Sequence, residues 1–128
     1  MNRHEEALGL FVVRRYRSRF RESLVSKRRD KLLAALPSFR YWDERFLYLI
    51  PSSEQLPERI YEILTARGAP KRCHAVSISD RLDGRDLLLQ DALDQTVGWE
   101  MGTVLSCIPG RLAYFEGEPP NERYVLER

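Results

Sequence analysis

Between Gly9 and Pro37 the chain has neither glycine nor proline, and within that stretch Val12, Tyr16, Phe20 and Leu24 recur every fourth residue. At about 100° per residue these four and Val13 fall within an arc of about 120°. Arg14, Arg15, Arg17, Arg19 and Arg21 take the rest of the circumference. From Arg15 to Arg21 the arginines also alternate with Tyr16, Ser18 and Phe20, as in a strand, but nothing nearby supplies a turn. The longer window decides, and it predicts a helix with one apolar stripe and one basic face. Glu5 and Glu6 suit its early turn.

Ser26 is expected to cap a second helix, "KRRDKLLAAL", with Leu32, Leu33 and Leu36 inward and Pro37 at its end. "RFLYLIP" is short, bulky and closed by Pro51, which predicts a buried strand. "SSEQLPERIYEILTARGAP" is punctuated as a helix: Pro57 stands in the first turn, Ile60, Ile63 and Leu64 share a face, and Gly68 follows the end. "RCHAVSIS" alternates with period two, putting His74, Val76 and Ile78 on one face and Cys73, Ala75 and Ser77 on the other. A turn at Asp83 and Gly84, a short helix around "LLQDALDQTV" and two strands joined at Pro109 and Gly110 follow. "YVL" near the C-terminus would add an edge strand.

The order α-α-β-α-β-(short α)-β-β predicts an α/β (α+β) fold. A mixed sheet of four to five strands is expected, the third helix serving as a right-handed crossover between parallel neighbours. With 128 residues, one domain over 1–128 is expected, built of a basic helical segment 5–36 and an α/β body 43–128. "LSCIPGRLAYFEGE" has the look of a bacterial family signature but brings no activity with it.

The formal charge of +2 hides a division. Met1–Trp42 holds eleven Lys/Arg against four Asp/Glu, and the remainder ten against fifteen. The basic third therefore meets either an anionic partner or the chain's own acidic body. "ALGLFVV" is too short and too closely flanked by charge for a membrane span or export signal, so a cytoplasmic protein with reduced thiols and no membrane partner is expected.

Arg14, Arg15, Arg17, Arg21, Arg28 and Arg29 are the candidate contact residues. They could neutralise phosphates with salt-sensitive affinity, or face an acidic protein or another copy of the chain. Tyr16 and Phe20 resemble base-stacking aromatics, yet they lie on the stripe that a core needs. Cys73 is adjacent to His74, but neighbours in a strand point to opposite faces, so a thiolate pair is not expected. Cys73 and Cys107 could pair reversibly if their strands adjoin. Glu116 and Glu118 would share a face of an extended strand near Arg111, the arrangement of a carboxylate site or of a charged sheet edge. No P-loop, G-x-G-x-x-G, C-x-x-C or H-E-x-x-H occurs, so no cofactor or metal is expected. The leading expectation is a small non-enzymatic interaction protein that uses its basic helices on an acidic protein surface or on itself. Nucleic-acid binding through the same face is the alternative, and an enzyme with carboxylates on the C-terminal hairpin comes third.

Overall fold

The computed structural model describes residues 2–119 and 123–128. Among them are five α-helices and six strands in the order α1 (Arg3–Leu8), α2 (Arg17–Val25), α3 (Arg29–Ala35), β1 (Leu47–Leu49), α4 (Pro57–Ala66), β2 (Arg72–Ser77), β3 (Asp86–Leu88), α5 (Leu89–Asp94), β4 (Thr103–Ile108), β5 (Leu112–Glu116) and β6 (Arg123–Glu127). The strands form one sheet, β1-β6-β5-β4-β2-β3, and every neighbouring pair is antiparallel. The class is therefore α+β. The expected parallel neighbours do not form: β1 and β2 run the same way, but β6, β5 and β4 lie between them. α4 crosses over all three.

Strand alternation divides the interior into two layers. Val76, Val104, Ala113, Phe115 and Leu126 pack under α1, α2 and α3. Ala75, Leu105, Leu112, Tyr114 and Val125 pack under α4 and α5 on the other side. The sheet is thus sandwiched, with the basic helices on one face and the helices carrying Glu58, Glu62, Asp91 and Asp94 on the other.

α4 forms as its punctuation predicts. Pro57 occupies the first turn, Ile60 and Leu64 are buried one turn apart, and Gly68 takes φ +101° beyond the end. Burying those two side chains contributes about 1.5–3 kcal/mol each. The hairpin turn at Pro109 and Gly110 also forms, with Gly110 at φ +70° and Arg111 N–H donating to the Ile108 carbonyl at 3.0 Å.

The long N-terminal helix does not form as one piece. α1 runs into a 3-10 turn over Gly9–Phe11, the backbone is extended at Val12 and Val13, and a second 3-10 turn over Arg14–Tyr16 leads into α2. Two consecutive β-branched residues are poor helix formers, and here they accept a different offer. Val12 bridges to Trp42, Val13 N–H donates to Tyr41 and Asp43 N–H to Phe11. The apolar stripe survives: Phe20 and Leu24 are buried, and Phe20 meets Phe39 and Trp42 edge-on.

Ser26 is not the N-cap of α3: Arg28 holds that position without a side-chain cap bond, while the Ser26 hydroxyl accepts from Arg28 N–H at 3.1 Å in the turn before the helix, and Pro37 sits inside a 3-10 turn over Leu36–Ser38. β1 is an edge strand with Leu49 58% exposed, not the buried strand that its bulk suggested. β6 is interior, paired on both sides, rather than an edge. β3 forms where only a turn and helix were expected, pairing with β2 through Arg72–Leu88, Cys73–Leu87 and His74–Asp86.

Candidate functional site

The basic face is built by α2, α3 and the turns before them. From Arg14 to Lys31 there are nine Lys/Arg against two Asp/Glu. Three of the arginines named from sequence are spent inside the molecule. Arg17 donates to the carbonyls of Gly9 and Val12 at 2.9 and 3.3 Å, closing the chain break. Arg21 lies 3.5 Å from Glu6. Arg29 is the anchor of a half-buried network: it donates to Glu5 at 2.6 Å, to Asp83 at 3.0 and 3.1 Å and to the Leu24 carbonyl at 2.9 Å.

Arg14, Arg15 and Arg28 remain exposed. Among the described residues they have no carboxylate within salt-bridge distance, and the same holds for Arg19 and Lys31. Arg19, Arg28 and Lys31 line a groove of about 460 Å³ between α2 and α3, with Tyr16 in its wall. Tyr16 is committed: it stacks on Tyr41 with centroids 4.1 Å apart and planes 8° apart, and the Arg19 guanidinium sits 5.9 Å from its ring. Phe20 is core.

Sequence reasoning missed a polar centre beneath α1. His74, 2% exposed on β2, has Nε2 2.6 Å from Glu5 and Nδ1 2.8 Å from Asp86. With a carboxylate beside each ring nitrogen, the arrangement favours hydrogen on both, the imidazolium form. Burial pulls its pKa down, but the hydrogen bonds of Glu5 and Asp86 outweigh burial and raise it. Burial pushes Glu5 up, and His74 and Arg29 together overcome that, holding its carboxyl at about 2. His4 stacks on His74 and has Nδ1 2.7 Å from Ser106 Oγ. Burial and the neighbouring His74 charge lower its pKa. The only sequence hint was that both histidines of the chain lie near carboxylates or strands; nothing linked them.

The hairpin residues do not converge. Glu116 is 0% exposed, and its carboxylate accepts from Gly98 N–H at 3.0 Å, Glu100 N–H at 2.8 Å and the Tyr114 hydroxyl at 2.6 Å, with Arg123 Nε 3.2 Å away. Its work is to hold the 98–101 loop, in which Glu100 takes φ +57° and Trp99 is 63% exposed. Glu118 lies beyond the strand in the open, and Arg111 is exposed at the far end of β5. The three form no carboxylate site, and Glu116 is not an edge charge.

Cys73 and Cys107 are buried, free thiols in the layer under α4 and α5. The antiparallel pairing of His74 with Ser106 puts them one step further along adjoining strands. Burial pushes the Cys73 thiol up to about 12 and raises that of Cys107 as well. His74 faces α1 on the opposite side of the sheet and cannot serve Cys73.

No helix among the described residues is long and apolar enough to cross a membrane. Searches against protein-family models, curated proteins and solved structures give no significant match to this chain.

Proposed function

We propose that this protein is a non-enzymatic binding module whose contact surface is the basic face of α2 and α3, and whose partner is an acidic protein surface. The supporting observation is that Arg14, Arg15, Arg19, Arg28 and Lys31 are exposed and have no carboxylate within salt-bridge distance among the described residues. The acidic helices α4 and α5 lie across the sheet, so the basic face cannot be neutralised by them within one molecule. A second copy offers them in trans, which makes self-association one form of this reading.

Nucleic acid competes for the same cations. The packing of Tyr16 weighs against it, because Tyr41 covers one part of that ring and Arg19 another, leaving no platform for a base. Phosphate contacts alone would remain.

The test is binding of the purified protein to poly-L-glutamate and to fluorescent single- and double-stranded oligonucleotides across a salt series, with sedimentation at matched salt for self-association. The variant Arg14→Gln, Arg15→Gln, Arg19→Gln, Arg28→Gln is run beside it, leaving the structurally committed Arg17, Arg21 and Arg29 in place. Salt-sensitive binding to poly-glutamate or to itself, lost in the variant, is expected. Tighter, variant-sensitive binding to oligonucleotides would give the face to nucleic acid, and no binding to any of them at low salt would overturn the proposal.

A further inference from the structure

The loop from α5 to β4 holds its shape at a cost. Gly98, Glu100 and Gly102 take φ of +90°, +57° and +82°, and among the described residues Glu100 alone has a positive φ without being glycine. A left-handed backbone is unfavourable for a residue with a Cβ and persists only where its surroundings impose it. Here the buried Glu116 carboxylate takes the Gly98 and Glu100 N–H groups, and Arg123 donates to the Glu100 carboxylate at 3.2 Å. The clamped loop presents Trp99 outward, 63% exposed, and Met101 two residues on, 41% exposed.

Among the described residues no large apolar side chain is more exposed than Trp99. It does not stand alone. Trp99, Met101 and the buried Leu82 border one groove of about 390 Å³, room for a large side chain. Single exposed apolar residues are ordinary on a protein surface, whereas a tryptophan held rigidly beside other apolar groups has the composition of an interface centre. Arg81 on the β2–β3 turn and Asp94 on α5 line the same groove, and both are exposed. Neither forms a salt bridge among the described residues, so these two opposite charges, carried by different elements, do not satisfy each other within one molecule.

An apolar centre flanked by one cation and one anion is complementary to itself under a two-fold rotation. We infer that a second copy of this chain docks on this face about a two-fold axis. Trp99 of each copy enters the groove of the other, against Leu82 and Met101, and Arg81 of each pairs with Asp94 of the other. A partner that brings charge of a single sign leaves one of the two unmatched. Because Glu116 fixes the loop before contact, little freedom is lost when Trp99 becomes buried, which is what the strained backbone gains. The contact uses none of the basic residues of α2 and α3 and stands whatever that face binds.

Sedimentation equilibrium of the full chain tests this, and a monomer–dimer equilibrium with a Kd of about 100 µM or tighter is expected. Trp99→Ser, an exposed change whose fold is checked by circular dichroism, should weaken it by about tenfold or more. Arg81→Glu and Asp94→Arg each set like charges against one another across the axis and should each weaken it by about fivefold. Combined in one chain they restore opposite charges, and the Kd should return to within about twofold of the wild type. The variant with Arg14, Arg15, Arg19 and Arg28 changed to Gln should dimerise as the wild type does. A protein that stays monomeric well above 100 µM, a dimer indifferent to Trp99→Ser, or a double charge variant no tighter than the single ones would each overturn the inference. So would a dimer lost in the arginine variant but kept in Trp99→Ser, which would give self-association to the basic face instead.

Discussion

The imidazole of His4 lies parallel to that of His74, 5.7 Å away and 9° off plane, and this stack is where the N-terminal helix is fastened to the sheet. The surroundings push the two rings in opposite directions, His74 towards the charged form and His4 away from it. The hydrogen bonds of Glu5 and Asp86 favour a protonated His74, and charge there disfavours a second positive charge on His4 across the stack. The arrangement makes the attachment of α1 sensitive to pH on both sides.

The signs follow from the two shifts. Glu5 is held at about 2, below its ordinary 4.5, so its contribution is complete above 4.5 and is lost as pH falls below that value. His74 is raised above 6.5, so its contribution is complete below 6.5 and is lost as pH rises through the folded pKa. The network is therefore strongest between those ordinary values. His74→Gln leaves Glu5 buried beside a neutral amide and is expected to cost about 3 kcal/mol near pH 6. Urea unfolding from about pH 5 to about pH 9 should show the wild type converging on the variant as pH rises. Parallel curves above pH 6.5 would show that His74 is not charged in the fold.

Gly102 and Gly84 both have positive φ, +82° and +76°, yet their surroundings differ. A Cβ on Gly102 would stand 2.6 Å from the Pro37 backbone nitrogen, whereas one on Gly84 meets nothing within 4 Å. Gly84→Ala bears only the left-handed backbone, about 1–2 kcal/mol. Gly102→Ala bears that and a clash with rigid backbone, and should cost about 1–3 kcal/mol more. Thermal unfolding of the two variants compares them directly; equal losses would mean that the Pro37 turn yields freely.

What could be read from the sequence was local. α4 was legible because Pro57, the Ile60–Leu64 spacing and Gly68 all act within one element, and the Pro109–Gly110 turn for the same reason. The break at Val12 was not, because its stabilisation comes from Trp42 and Tyr41, across the chain. β3, three residues long, carries too little alternation to register, and the interior place of β6 depends on β1 returning to it. The Glu5–His74–Arg29 centre joins α1, β2 and α3, so no spacing in the sequence could announce it. The arginine run was legible as a helical face, but which of its members are spent internally was decided by the Gly9 carbonyl, Glu6 and Glu5.

Cys73 and Cys107 are expected to be silent in the native protein. Both thiols are buried and pushed up by that burial, with the Asp86 charge adding to the effect at Cys73. Thiolate is the reactive form, so a chromogenic disulfide reagent near neutral pH should label neither until the protein unfolds, the rate then following global opening. Prompt stoichiometric labelling of folded protein would contradict this burial.

Glu116 supplies the most exacting prediction, because its carboxylate is matched on every side by donors. Gly98 N–H, Glu100 N–H and the Tyr114 hydroxyl point at it and Arg123 lies beside it. Burial, then the Glu116 charge and hydrogen bond, raises the Tyr114 pKa, keeping that hydroxyl a donor. Glu116→Gln keeps the shape but replaces one acceptor oxygen by an NH2 group, setting donor against donor and removing the charge opposite Arg123. A loss of about 3 kcal/mol is expected. It should be concentrated in the loop, since Glu100 holds a left-handed backbone at φ +57° only while its N–H is bound. Hydrogen exchange at the Gly98 and Glu100 amides should then accelerate by about tenfold or more beyond any global change. If those amides exchange no faster than the rest of the sheet in the variant, the loop is held by something other than Glu116.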